Sequence, residues 1–304
     1  MDRQRAATAS GAAAYIIWGL LTLFWHELHG LDAVEHIGQR VFWSAVVLTV
    51  VLTVRGGWTA MRTAVGNRRL IARLAAAGVM LAINWLSYVW AVTHGNVVES
   101  ALGYFIAPLG SIAVGVLVFR EHLRPAQRAA LMLAGAAVAV LTIGYGKPPW
   151  LALAMAGSWT AYALLKKVVP LHPMESLAGE TFTMLPLALV FIVINSTGSD
   201  AIVHQASTEQ LILVACTGIT TVVPLLLFAK AAQSVPMTTL GLLQYFVPTI
   251  NFALGVLVYD ESLPLWRLIG FALVWGALGI ATTDGLNTAR RTRIAATTAT
   301  TATT

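Results

Sequence analysis

Residues 105–123 read FIAPLGSIAVGVLVFREHL, and residues 245–263 read YFVPTINFALGVLVYDESL. At this offset of 140 residues, eight of nineteen positions are identical: Pro108 with Pro248, Ala113 with Ala253, the run 115–118 with 255–258, Glu121 with Glu261, and Leu123 with Leu263. Apolar composition supplies Leu and Val matches readily, but not paired Pro, Gly and Glu. The same offset sets Leu86 on Leu226, Tyr88 on Phe228 and Ala91 on Ala231. The chain reads as an internal duplication.

What is duplicated follows from composition. Of 304 residues, 58% are apolar and 11% charged, against about 45–50% and 25% in an average soluble domain. Mean hydropathy is +0.76. These values exclude an ordinary soluble enzyme, a disordered chain and a basic nucleic-acid binder. Charge-poor apolar runs fall near 10–27, 37–54, 71–93, 98–119, 126–145, 149–166, 176–195, 208–230, 238–259 and 264–283. Each is close to the roughly 20 residues that a helix needs to cross the hydrocarbon core. The runs lack the polar–apolar alternation of an outer-membrane barrel strand. The expected fold class is all-α integral membrane, with ten transmembrane helices. Arg3 and Arg5 ahead of the first run resemble a signal peptide's start, but Trp25-His26-Glu27 offers no small-residue cleavage site.

Loop charge sets the expected orientation. With the N-terminus inside, 16 of 19 basic residues fall on the cytoplasmic side, leaving Arg40, Lys147 and Arg267 outside. Eight of 13 acids fall on the outer side. This is a strong positive-inside bias, so the net charge of +6 is a topology signal rather than a nucleic-acid footprint. Five helices per half is an odd number, so the second half enters the membrane the other way up. The loops agree: Arg120–Arg124 is basic, while its counterpart from Asp260 is acidic. Two inverted-topology five-helix repeats, residues 10–145 and 149–285, are the architecture of many secondary transporters. They are flanked by a leader, 1–9, and a Thr/Ala-rich tail, 286–304, expected to be disordered.

Several stretches resemble the EamA-type permeases of the drug/metabolite transporter superfamily, and in particular their RarD branch. They are YIIWGL (15–20), QRVFWS (39–44), NWLSYVWAV (84–92), ESALGYFI (99–106) and LGLLQYFVP (240–248). The resemblance covers roughly residues 10–285. It implies a central cavity enclosed by the first four helices of each half, with the fifth and tenth peripheral. It also implies a plasma (inner) membrane permease, expected by analogy to work in the export direction and to move a small organic metabolite or drug. A non-transporting accessory protein or an intramembrane enzyme is the alternative.

Candidate residues follow. Asn84, Ser87, Tyr88, Ala91, His94 and Gly95 form a small-and-polar stripe at helical spacing, which faces either a cavity or another helix. Trp85 and Trp159 offer flat surfaces for an amphipathic ligand, or sit in an interfacial belt. With Tyr104, Tyr162, Gln244 and Tyr245, these residues make the candidate substrate-binding set: Asn84, Trp85, Tyr88, Tyr104, Trp159, Tyr162, Gln244 and Tyr245. Arg40 and Glu180 are equivalent across the repeat, and charges inside spans are costly and often functional. They are candidate gates or substrate contacts at opposite mouths. Otherwise Arg40 reaches headgroups or pairs with Glu35, and Glu180 pairs with Lys166 or Lys167. Glu99 and His94 are candidates for proton coupling or are simply solvated. Ala107, Ser111 and Gly115 recur every four residues, a spacing that suits close helix packing.

Enzyme motifs are missing. His26-Glu27-Leu28-His29 is one residue short of the metal-binding HExxH. No nucleophile elbow, P-loop or GxGxxG occurs, and the single Cys216 has no intrachain disulfide partner. No catalytic residue, cofactor or metal is expected. The expected partners are a small-molecule substrate and the lipid bilayer, not nucleic acid. Proton coupling and a homodimer are left open.

Overall fold

The computed structural model describes residues 2–28, 30–59, 61, 66–94, 96–196, 201–258, 265, 268–280 and 283–284. Among them, every regular element is a helix. The order is α1 Asp2–His26, α2 Ala33–Arg55, α3 Arg68–Thr93, α4 Val97–Leu117, α5 Pro125–Tyr145, α6 Trp150–Val168 and α7 Pro173–Asn195. A short α8, Ile202–Gln205, precedes α9 Thr208–Ser234, α10 Met237–Gln244 and α11 Phe246–Leu257. The last is α12, Leu268–Ile280. Eight helices of the described residues are long and apolar enough to cross a membrane: α1 to α5, α7, α9, and α10 with α11 taken together. The sixth segment forms the 19-residue α6, whose last turn carries Lys166 and Lys167.

Local chemistry sets the helix ends. Asp32 caps α2, its side chain accepting from the Glu35 N–H at 2.6 Å. Gly56 (φ 68°) ends that helix in the left-handed region, where a side chain is strained. Ser207 and Gln210 exchange reciprocal bonds at the start of α9, a capping box. Pro173 opens α7 at its first turn, where its missing N–H costs nothing.

The helical boundaries differ from expectation in two places. α1 begins at Asp2, so much of the expected leader is helical. The ninth segment, expected as one helix over 238–259, divides at Tyr245 into α10 and α11. Pro248 has no N–H for the Gln244 carbonyl, and its ring crowds that carbonyl; the turn tightens there, with Tyr245 N–H bonding Leu242 O at 3.3 Å. Its repeat partner Pro108 sits within an undivided α4. The tenth segment, expected over 264–283, is helical at its described residues, the longest run being Leu268–Ile280. Gly95, the acidic loop Asp260-Glu261, Arg267 and the C-terminal arginines lie outside the described residues.

The halves are interleaved. α4 lies along α6 and α10, α1 along α9 and α11, and α2 along α7 and α9. One buried cluster gathers Tyr15, Leu48, Leu52, Tyr162, Leu177, Phe228, Met237 and Leu240 from both halves. In lipid, helix association relies on close packing at small residues. A Cβ on Gly218 would sit 2.6 Å from the Trp43 carbonyl carbon, and one on Gly241 2.7 Å from Pro108 O. Val54, Leu117, Met132, Ile143 and Ile194 stay exposed, as suits residues facing lipid chains. α5 and α12 join the bundle from outside, packing Ala134, Leu141, Phe271 and Val274 around Leu102 and Phe105 of α4.

Candidate functional site

A cavity of about 1110 Å³ of empty space, its open mouth included, lies between the two halves. α1 contributes a stripe, Tyr15, Trp18, Thr22 and Trp25, at i, i+3, i+7 and i+10. That spacing keeps them on one helical face. α2 adds Arg40, α3 adds Leu81, Asn84, Trp85 and Tyr88, and α4 adds Gly103, Tyr104 and Ala107. The second half supplies Met155, Trp159, Leu225, Gln244, Val247 and Asn251. The lining thus runs from mid-α1 towards the loop between α1 and α2.

Polar wall groups tie the halves together. Asn84 donates to Met155 O at 2.8 Å, and Thr22 donates to Asn251 Oδ1 at 2.9 Å. Gln244 donates to Ser111 Oγ at 2.7 Å. Arg40 Nε donates to Thr221 Oγ1 at 3.3 Å. Each bond joins one half to the other. The two readings of the α3 stripe are therefore both realised at Asn84, which lines the cavity and also bonds across helices.

Arg40 is the one charged side chain among the described wall residues. It does not pair with Glu35. The Glu35 carboxylate instead accepts from Ile202 N–H at 2.9 Å, at the start of α8. The Arg40 guanidinium carbon lies 4.1 Å from the Trp85 ring centre and 4.6 Å from that of Trp25. These are cation–π distances. No carboxylate of a described residue comes within 4.0 Å of its nitrogens.

The cavity floor is aromatic. Trp18 and Trp159 meet edge to face at 5.2 Å, and Tyr15, Trp18, Trp159 and Tyr162 all contact the Phe228 ring within 6.0 Å. Beneath it, Lys166 pairs with Glu180 at 3.1 Å, their side chains 0% and 2% exposed. Tyr162 Oη donates to the other Glu180 oxygen at 2.8 Å, and Lys166 donates to Ser176 Oγ at 2.8 Å. Lys167 turns away and donates to Val235 O at 2.7 Å and Ala232 O at 3.3 Å, where a cation suits the helix C-terminus.

Of the expected substrate set, Asn84, Trp85, Tyr88, Tyr104, Trp159 and Gln244 share the cavity wall. Tyr162 lies under the floor in the charge network. Tyr245 is buried in the cluster between α4, α5 and α12, its hydroxyl 3.5 Å from Phe105 O. Glu99 is 5% exposed rather than solvated. It accepts from Tyr145 Oη and from Leu151 N–H, both at 2.7 Å, and so ties α4 to the end of α5 and the start of α6. His94 is exposed, its ring stacked 4.2 Å from Trp90.

A second groove, almost wholly apolar, runs between α2, α3, α7 and α9. It shares Leu81, Trp85 and Leu225 with the cavity wall.

Residues 147–283 match the EamA-like transporter family. The chain is 43% identical over 292 residues to protein RarD of Streptomyces exfoliatus, spanning 96% of this chain and 93% of that one. The chain belongs to the EamA-type transporters, in the RarD branch. It is also 35% identical to the uncharacterized transporter YojE of Bacillus subtilis (strain 168), over 90% of this chain and 94% of the relative. Protein RarD of Escherichia coli (strain K12) is 33% identical over 92% and 95%. A crystal structure of a protein 18% identical in sequence superposes with a TM-score of 0.68, covering 92% of this chain and 98% of that one. That likeness establishes the fold alone. An EamA-type transporter with these helices is a multi-pass membrane protein, and its cavity is the candidate transport site.

The sequence reading did not select Tyr15, Thr22, Trp25 or Met155 for this site. The α1 stripe was available as a signal: aromatic and hydroxyl residues at helical spacing in an otherwise aliphatic span. Met155 carried none, because only packing brings it to the wall.

Proposed function

We propose that this EamA-type permease is a secondary transporter that exports a small organic molecule across the plasma membrane by alternating access. In this reading ten spans form two inverted five-helix halves, with both termini in the cytoplasm. The observation that carries it is the cavity itself, which reaches mid-bundle from the side of the α1–α2 loop. On the other side it is closed by the Phe228 cluster and the Lys166–Glu180 pair. With the N-terminus inside, that is an outward-open form.

The inverted repeat is supported by the wall. Tyr15 and Met155, Trp85 and Leu225, Tyr104 and Gln244, and Ala107 and Val247 are each 140 residues apart, and every one of these residues lines the cavity. A site on the pseudo-twofold axis is where two inverted halves can rock past a bound molecule. The charge bias of the loops supports the orientation.

The test is entrance counterflow in liposomes containing the full chain and no partner. The interior is loaded in turn with organic anions, neutral amides and organic cations. Saturable, trans-stimulated uptake of at least one class is expected. Flux of none of them, from protein shown to be folded, sinks the reading; flux without saturation or counterflow makes the chain a channel.

A further inference from the structure

Every polar contact in the cavity wall but one leaves neutral groups matched with neutral groups. The exception is Arg40. Its guanidinium carries five N–H donors in a planar fork, and the one hydrogen bond found for it uses Nε, to Thr221 Oγ1. The outward-pointing donors lie unpaired among described residues, against the faces of Trp25 and Trp85 and beside Tyr88 and Tyr104. Taking a charge from water without a counter-ion is costly, and no carboxylate of the described residues supplies one. The remaining wall is rich in flat rings, with Trp18 and Trp159 at the deep end.

We propose that the cavity takes an organic anion, its carboxylate or phosphate held by the free edge of the Arg40 guanidinium and its apolar or aromatic body laid against the tryptophan-lined floor. This rests on the transporter reading above and gives it a substrate class. A guanidinium fork matches two oxygens of a planar or tetrahedral oxyanion at once. The two indoles hold the fork in place while leaving its donors unspent. An organic cation meets the same charge and is repelled. A neutral molecule of equal size gains the stacking but leaves the arginine unneutralised.

The test uses four probes with a phenylalkyl body and different heads: 3-phenylpropanoate, 2-phenylethyl phosphate, 3-phenylpropanamide and 3-phenylpropylammonium. Each is titrated into the reconstituted full chain by tryptophan fluorescence, and each is then run in counterflow. At least one anion is expected to bind about tenfold more tightly than the amide, and the ammonium not at all. Comparing carboxylate with phosphate assigns the preferred head. Arg40→Gln should erase the preference for anions while keeping weak amide binding. Arg40→Lys, which keeps the charge but loses the fork, should retain part of it, and serves as the second variant should Arg40→Gln not fold. Amide or ammonium binding as tight as either anion, no anion binding, or an undiminished preference in Arg40→Gln would each overturn the proposal. Anion binding without counterflow would uphold the site and count against the transporter reading instead; counterflow of amide or cation alone would do the reverse.

Discussion

Arg40 and Glu180 occupy equivalent positions in the two halves, 140 residues apart, and the fold treats them in opposite ways. Glu180 is fully engaged: Lys166 and Tyr162 satisfy one oxygen each, and Ser176 holds the lysine. Arg40 has one threonine hydroxyl and two aromatic faces. A buried charge whose partners are all protein is a fastener, because separating it strands its counter-ion. Arg40 is half-buried and opens on the cavity, and its charge without a counter-ion is what the proposed anion would neutralise. In the proposed function, the same repeat position serves as a closure on one side of the membrane and a receptor on the other.

The largest effect expected from this contrast is on stability. Lys166→Ala leaves Glu180 charged and dry, and should cost about 3–5 kcal/mol, read as a drop in the thermal melt of the detergent-solubilised protein. The double variant Lys166→Met with Glu180→Leu should recover most of that loss. A harmless Lys166→Ala would show that the pair is not a fastener. Next, Gly218→Ala forces a methyl against the Trp43 backbone and should cost about 1–3 kcal/mol by overpacking in the same melt. Recovery of the full parental melting temperature would mean that α2 and α9 are looser than their contact implies.

Two smaller effects concern the free charge. Trp85→Ala removes one of the faces on Arg40 and should weaken 3-phenylpropanoate binding by about 0.5–2 kcal/mol, measured by titration; unchanged affinity would remove the tryptophan from the receptor. Arg40→Gln should leave the melting temperature unchanged or raise it, since the folded state no longer holds a charge without a counter-ion. A large destabilisation would mean that Arg40 is a fastener too, and the contrast with Glu180 would fail.

Much of this was legible beforehand. Eight apolar helices lie where the hydropathy runs predicted them, because every backbone polar group in lipid must be bonded within its own helix. The cavity residues Asn84, Trp85 and Tyr88 were visible as a stripe on one face. The division at Tyr245 was less so. Pro108 and Pro248 look alike in sequence, yet only the second divides its helix, since local freedom around a proline depends on the packing of its neighbours. The role of Glu121 was hidden as well. It matched Glu261 as a repeat signature, but its carboxylate accepts from the N–H groups of Met237 and Thr238 at 2.7 and 2.9 Å, so it caps a helix 116 residues away.

The sequence by itself determined the helical class, the duplication and the family, because these are written in residue type and spacing along the chain. It also named the charges that a membrane interior does not tolerate without purpose. Only the tertiary structure decided what each charge meets. Lys166 and Lys167 are neighbours in the chain, yet one is locked to Glu180 and the other to the end of α9. Arg40, only five residues from Glu35 in the chain, instead faces indole rings contributed by α1 and α3. Partnership between side chains from different helices depends on how the helices cross, and that is settled by packing across the interleaved halves rather than by any local pattern.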